Sequence, residues 1–224
     1  MMRAMILAAG RGERMRPLTD HTPKPLLKIG GKPLIVWHLE RLAKAGFKEV
    51  IVNHAHLGAQ IEAALGSGAP WGLHIQYSPE KIALETAGGI ANALPLLGEK
   101  PFLVVNGDVF CEIDFAGLHL ENGKLAHLVL VDNPPQHNQG DFALEKGLVK
   151  NTGTQMLTFS GIGVYHPDLF KTIIRGDAAK LAPLLRHAML EEKVTGAYFS
   201  GVWHDIGTPE RLSALDALLQ KNKK

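Results

Sequence analysis

The residues Leu7-Ala8-Ala9-Gly10-Arg11-Gly12-Glu13-Arg14 follow directly on a short apolar run. Two glycines separated by one residue let a backbone turn tightly and aim successive N–H groups at one anion, and Arg14 adds a guanidinium that can fork onto phosphate oxygens. This is neither of two common phosphate loops. A dinucleotide fingerprint needs glycine or alanine where Met15 stands, and a Walker loop needs a Gly-Lys-Ser/Thr run that is absent. Further on, Thr22-Pro23-Lys24-Pro25 sets a lysine between two prolines, which restrict the backbone on both sides and hold the ammonium in a fixed direction. A rigid lysine suits a polyphosphate, although a solvated lysine in a Pro-rich turn has the same local sequence.

Two aspartates close later motifs. Asp108 ends Asn106-Gly107-Asp108 behind an apolar run, and Asp205 lies in Trp203-His204-Asp205-Ile206-Gly207-Thr208-Pro209, ahead of the last helical pattern. Two carboxylates brought to one point repel unless a cation sits between them, and Mg²⁺ prefers one or two carboxylates with phosphate and water oxygens. In isolation each also reads as a turn aspartate or a local cap. His54 and His56 lack a third ligand and read as polar loop histidines. Cys111 has no histidine base beside it and reads as a structural thiol.

The elements that must position these groups follow from periodicity. Continuous apolar runs at 4–8, 50–53, 102–105 and 126–131 suit strands covered on both faces, as in a mostly parallel sheet. Helical patterns fall between them at 33–45, where Ile35, Leu39 and Leu42 share a face and Gly46 stops the helix, and at 57–65 and 89–97. Strand and helix thus alternate over the first 110 residues, the pattern of a doubly wound α/β sheet whose ligands bind at the carboxyl ends of the strands. Beyond Asp132 the turn-rich stretch 133–140 and short strand-like pieces at 142–144, 148–150 and 157–165 predict antiparallel hairpins or a lid set against the main sheet. A helix at 183–190 and a strand at 196–203 follow, then a last helix capped by Thr208 with Pro209 at its first position and Leu212, Leu215 and Leu219 on one face. Residues 221–224 read as a frayed tail.

Composition bounds the rest. The 224 residues are 46% hydrophobic, with 24 Lys and Arg against 22 Asp and Glu and no long run of like charge, so nucleic acid is not indicated. A single cysteine excludes an internal disulfide and fits a reducing, cytoplasmic compartment. The N-terminal apolar run is too short for a signal peptide and is followed at once by charge, and no stretch suggests a membrane span or a membrane partner. Oligomeric state stays open, and nothing demands more than a monomer.

Leu7-Ala8-Ala9-Gly10 with Gly12 and Arg14, Pro17-Leu18-Thr19, Pro23-Lys24-Pro25, Pro33-Leu34, Glu85-Thr86-Ala87-Gly88-Gly89, Asn106-Gly107-Asp108 and the 203–209 segment together resemble the signature of the sugar-phosphate nucleotidyltransferases, which make NDP-sugars. The resemblance spans nearly the whole chain. It implies a Rossmann-like doubly wound, mostly parallel α/β sheet with a small antiparallel sugar-binding insertion, in one domain over 1–224 with no appended acyltransferase or β-helix domain. Residues 1–110 would bind nucleotide, 111–200 mainly sugar, and 201–220 would supply the second metal carboxylate and the C-terminal helix. The substrates implied are a nucleoside triphosphate, UTP, and a sugar 1-phosphate.

Residue by residue, the resemblance implies that Arg14 and the backbone of Ala9, Gly10, Gly12 and Glu13 hold the triphosphate. Lys24 bridges the phosphates of both substrates, so that Arg14 and Lys24 are the catalytic pair. Gly88 belongs to the nucleotide-contacting loop, Glu85, Asn106 and Asp141 are substrate contacts, and Asp108 and Asp205 hold Mg²⁺. Larger members carry a Glu-Lys-Pro lysine for the sugar phosphate. Here Glu145-Lys146-Gly147 departs from that pattern, and the role is not carried to Lys146. The compact length and segments 53–58, 84–89 and 157–162 are most similar to members that uridylylate N-acetylmuramate 1-phosphate in peptidoglycan recycling. A mannose- or glucose-1-phosphate nucleotidyltransferase is the alternative. A non-catalytic sugar-nucleotide-binding module is a third reading, against which stands the presence of Arg14, Lys24, Asp108 and Asp205.

Overall fold

The computed structural model describes residues 2–221. In chain order the elements are β1 (Arg3–Leu7), β2 (Lys28–Ile29), β3 (Lys32–Pro33), α1 (Leu34–Lys44), β4 (Glu49–His54), α2 (Gly58–Leu65), β5 (His74–Pro79), α3 (Glu85–Leu97), β6 (Phe102–Asn106), β7 (Val109–Cys111) and β8 (Ala126–Val131). There follow β9 (Phe142–Glu145), β10 (Leu148–Lys150), β11 (Met156–Tyr165), α4 (Leu181–Leu190), β12 (Val194–Tyr198), β13 (Trp203–Asp205) and α5 (Pro209–Lys221).

Nine strands form one sheet in the order β5-β4-β1-β6-β11-β8-β12-β10-β9. The first four are parallel, with Met5 opposite Ile51 on one side and Val104 on the other. Alternate residues of β1 serve opposite faces: Met5 packs with Ile90, Ala91 and Leu97 of α3, whereas Ala4 and Ile6 pack with Ile35, Leu39 and Leu42 of α1 and Ile61 of α2. Helices on both faces are why the β1 run is apolar throughout. The edge strand β5 escapes that signature, because it is half exposed and its sequence alternates instead.

The second half of the sheet is mixed. β11 runs antiparallel to β6 and β8, β12 runs parallel to β8, and β9 and β10 form a hairpin. β9 also pairs with the start of β11, at Met156 opposite Ala143, so β11, β8, β12, β10 and β9 close into a ring. A shift of register between Phe159 and Gly163 bends β11 enough to serve both partners, with Gly161 at a φ of 79° inside it. Of the two readings of these pieces, antiparallel hairpins or a lid, the first describes them: β9 and β10 form a hairpin that joins the main sheet through β11 and β12, and none stands apart from the sheet as a lid.

Other boundaries differ for local reasons. α3 begins at Glu85 rather than residue 89, since its first N–H groups are capped from outside the helix: Ala179 O accepts from Ala87 N at 2.9 Å and Gly88 N at 3.1 Å. The strand expected at 196–203 splits into β12 and β13, the latter pairing with β7. α5 starts at Pro209 with Thr208 Oγ1 accepting from Arg211 N at 3.4 Å, and it extends to Lys221; the rest of the expected tail lies outside the described residues. Among the described residues no helix is long and apolar enough to cross a membrane.

Candidate active site

The carboxyl ends of β1, β4 and β6 open onto a cleft of about 430 Å³. Its lining includes Ala9, Gly10, Gly12, Glu13, Arg14, Lys24, Glu85, Asn106 and Asp108. A second lobe of about 310 Å³ shares Asn106 and Asp108 and adds Asp141 and Asp205. Eleven of the twelve sequence-predicted site residues thus line one two-lobed cleft, with Asn106 and Asp108 on the ridge between its parts.

The phosphate loop presents its backbone. The N–H groups of Ala9, Gly10, Gly12 and Glu13 meet no acceptor among the described residues, whereas Ala8 N donates to Asn53 Oδ1 at 2.8 Å and Met15 N to Gly12 O at 2.8 Å. The loop is pinned on either side and unsatisfied between, as an anion-binding nest requires. Met15, fully buried, anchors it beneath. Gly12 has a φ of 69°, and a Cβ there would stand 3.0 Å from Thr19 Cγ2 and 3.3 Å from Lys24 Cβ. Glycine therefore lets the lysine stem lie against the loop. The Glu13 carboxylate turns away to Arg11 and Arg16. Arg14 is exposed and makes no ion pair among the described residues, with its guanidinium beside Gly207.

Lys24 is only 8% exposed, which sets aside the reading of a solvated turn lysine. Its Nζ donates to Asp108 Oδ2 at 2.8 Å, on the ridge between the two lobes. The ladder of β7 with β13 brings Asp205 opposite Val109, and Ile206 N donates to Asp108 O at 2.9 Å, so the two aspartates share one wall. Asp205 in turn holds Arg211 of α5. Each carboxylate already has a cationic partner, and both reach the second lobe. The donor chemistry, two acidic oxygen ligands beside a phosphate nest, fits a hard divalent cation completed by phosphate and water oxygens.

Gly88 corrects an expectation. Its N–H is taken by Ala179 O, and a Cβ there would lie 2.4 Å from Asp177 O, so it sits beneath segment 177–179 and does not line the cleft. Ala87 beside it is fully buried in the core. Glu85 and Thr86 do reach the cleft, and Glu85 holds a φ of 60°, a left-handed conformation that is unfavourable for a residue with a side chain. Asp141 has both oxygens engaged: Oδ2 accepts from Phe159 N at 2.8 Å and Oδ1 pairs with His137 Nε2 at 3.0 Å.

Sequence reasoning missed two cleft residues. Glu80 is 7% exposed; its Oε1 accepts from Asn53 Nδ2 at 2.7 Å and its Oε2 from Leu84 N at 2.9 Å. With Asn53 Oδ1 on Ala8 N, these bonds join the phosphate loop to the loop before α3. Gly89 makes room, since a Cβ there would stand 2.7 Å from Glu80 Oε1. No local spacing announces this network, because Asn53 and Glu80 meet only through the pairing of β4 with β5.

The residues left aside keep structural partners. His54 bonds Glu62 at 2.7 Å and His56 bonds Thr19 O at 3.1 Å. Burial pushes the Cys111 thiol up to about 11, which leaves it protonated and poorly nucleophilic at neutral pH. His204 faces a neighbouring groove, outside both lobes, and burial lowers its pKa. Lys146 occupies an exposed turn between β9 and β10, away from the cleft.

A glycine-rich loop with open N–H groups, a buried lysine and two aspartates on one wall thus lie together at the carboxyl edge of an α/β sheet. The chain belongs to the nucleotidyl transferase family, whose model matches residues 3–222. It is 56% identical to the N-acetylmuramate alpha-1-phosphate uridylyltransferase of Neisseria meningitidis serogroup B, over 97% of this chain and 98% of that protein. The Caulobacter vibrioides protein of the same name is 35% identical, over 96% of each chain. The mannose-1-phosphate guanylyltransferase of Mycobacterium tuberculosis is 32% identical, over 92% of this chain and 61% of its own length. In fold the chain is similar to a Bacillus anthracis structure assigned as a glucose-1-phosphate thymidylyltransferase, with a TM-score of 0.84 at 21% identity over 98% of this chain and 96% of that one. It is also similar to a UDP-glucose pyrophosphorylase, with a TM-score of 0.75 at 18% identity over 99% of each chain.

Proposed function

We propose that this protein transfers the uridylyl group of UTP to N-acetylmuramate 1-phosphate, forming UDP-N-acetylmuramate and pyrophosphate, as a cytoplasmic enzyme of peptidoglycan recycling. The observation that carries the reading is Lys24, buried along its stem in the first lobe with its ammonium held 2.8 Å from Asp108, which borders both lobes. The 56% identity to a uridylyltransferase of that specificity supports the choice of base and sugar.

The sugar phosphate is already an anion at neutral pH, so its attack on the α-phosphorus needs no general base. The work left to the protein is to align two polyanions and offset their repulsion, which is about 4 kcal/mol for two unit charges 4 Å apart near a protein surface. The N–H groups of Ala9, Gly10, Gly12 and Glu13 hold the triphosphate, with Arg14 over its oxygens. Lys24 faces the phosphates of both substrates and stabilises the charge that grows as pyrophosphate departs. Asn106 and Asp141 bound the sugar, and Glu85 borders the nucleoside. Asp108 and Asp205 would hold Mg²⁺, which when bound supplies further positive charge against the polyphosphate.

The test is pyrophosphate release from UTP, Mg²⁺ and a panel of sugar 1-phosphates. N-acetylmuramate 1-phosphate is expected to give the highest kcat/KM. Preference for GTP with mannose 1-phosphate would overturn the choice of substrates, and no release from any pair would overturn the enzyme reading.

A further inference from the structure

Within the uridylyltransferase reading, on which this inference rests, the second lobe faces a problem of charge. N-acetylmuramate differs from neutral sugars by a lactyl carboxylate. The lobe is lined by three acids, Asp108, Asp141 and Asp205, and each repels a further carboxylate. Among the described lining residues His137 is the one basic side chain.

The loop that carries His137 is firmly built. Asn133 Nδ2 donates to Met156 O at 2.9 Å and to Asn138 O at 3.2 Å, while Asn133 Oδ1 accepts from Thr158 Oγ1 at 2.8 Å. Pro134 O accepts from His137 N at 2.8 Å, and Asp141 N closes the loop onto Leu157 O at 2.7 Å. The imidazole is oriented as well. A carboxylate only accepts, so in the 3.0 Å contact with Asp141 Oδ1 the Nε2 carries the proton. Asp141 is itself held to β11 through Phe159 N. Nδ1 meets no partner among the described residues, and the side chain is 43% exposed. Two other cations nearby are engaged: Lys24 is held by Asp108 at 2.8 Å and lines the first lobe, and Arg211 is held by Asp205 and lines the neighbouring groove rather than this lobe.

We propose that His137, oriented by Asp141, reads the lactyl carboxylate of the sugar acid and selects it over neutral sugar 1-phosphates. With Nε2–H held by Asp141, the open Nδ1 faces the incoming carboxylate, and a proton shared between the two makes a charge-assisted bond that a neutral sugar cannot make. Asp141 then acts on the sugar through His137, as a positioning residue.

The test compares N-acetylmuramate 1-phosphate with N-acetylglucosamine 1-phosphate, which lacks the lactyl ether, each as substrate or competitive inhibitor at saturating UTP. His137→Ala is expected to lower kcat/KM for the muramate substrate about tenfold or more, while the constant for the glucosamine compound stays within about twofold. His137→Lys, which returns a cation to the loop, is expected to recover part of the preference, and it guards against a loop that merely fails to fold in the alanine variant. Equal losses for both compounds in both variants, with a wild type that prefers muramate, would overturn the role of His137. A wild type that turns over the glucosamine compound and not the muramate one would overturn the parent reading instead.

Discussion

Lys24 shows what one residue can carry. Its stem is buried against Gly12, its ammonium meets Asp108, and the prolines around it leave the backbone little freedom. Lys24→Ala is expected to lower kcat/KM at least about a hundredfold, because it removes charge stabilisation from the transition state. Asp108→Asn and Asp205→Asn are expected to abolish pyrophosphate release while circular dichroism and melting report an intact fold. Wild-type-like rates at saturating Mg²⁺ would return either aspartate to a turn or capping role. Glu80 works by bond direction: both oxygens accept, so Asn53 must donate from Nδ2 and accept Ala8 N–H at Oδ1. Glu80→Gln sets a donor against a donor at one of its two contacts. It should cost about 1–3 kcal/mol in urea unfolding and raise KM for UTP more than KM for the sugar phosphate. Lys24 was legible in the sequence because the prolines that fix its backbone are its chain neighbours, although its partner Asp108 is not. Glu80 was not, because its partners come from other strands and loops.

Elements transmit these positions to the cleft. The irregularity in β11 depends on Gly161, where a Cβ would stand 2.6 Å from Asn106 Nδ2 in a left-handed backbone. Gly161→Ala is expected to destabilise the protein by about 1–3 kcal/mol and to weaken sugar-phosphate binding, measured together by melting and KM, because Asn106 must move. β7 is buttressed from α1 by His38, whose Nε2 lies 2.8 Å from Val109 O. Burial lowers its pKa from 6.5 to about 4, so the folded protein keeps the ring neutral and Nε2–H donates to the carbonyl. The unfolded chain binds the extra proton between those values. Stability is therefore full above pH 6.5 and falls as pH drops toward 4, by about 3 kcal/mol in all. Urea unfolding at pH 7 and pH 5 should show the loss, and His38→Gln, which cannot titrate, should show less of it. The helical stripe of α1 was plain in the sequence, but β7 and β13 were not, since strands this short lack a period of their own.

At the scale of the whole molecule, α5 closes the structure beneath the site. Leu215 packs with Met15 under the phosphate loop, Ile29 and Leu34 around the β2–β3 hairpin, Phe110 of β7 and Ile206 beside Asp205, while Asp216 Oδ1 accepts from Gly30 N at 2.7 Å. Leu215 thus belongs to one apolar cluster with Met15 of the loop that carries Arg14, Phe110 just after Asp108 and Ile206 just after Asp205. Leu215→Ala is expected to cost about 2–5 kcal/mol in urea unfolding and to raise KM for UTP, although the side chain reaches neither lobe. A loss of stability with unchanged KM would show that the phosphate loop does not depend on this packing. The sequence alone determined the glycine-rich loop behind β1, the lysine flanked by prolines and the alternation of strand and helix in the first half of the chain, because each is a property of neighbouring residues or of a regular period. Tertiary structure decided that Gly88 turns to the loop at 177–179, that Asn53 and Glu80 join two loops, and that the antiparallel strands close a ring within the sheet. Those outcomes depend on which backbone groups are left unpaired when distant segments meet, a condition that arises only once the chain has folded.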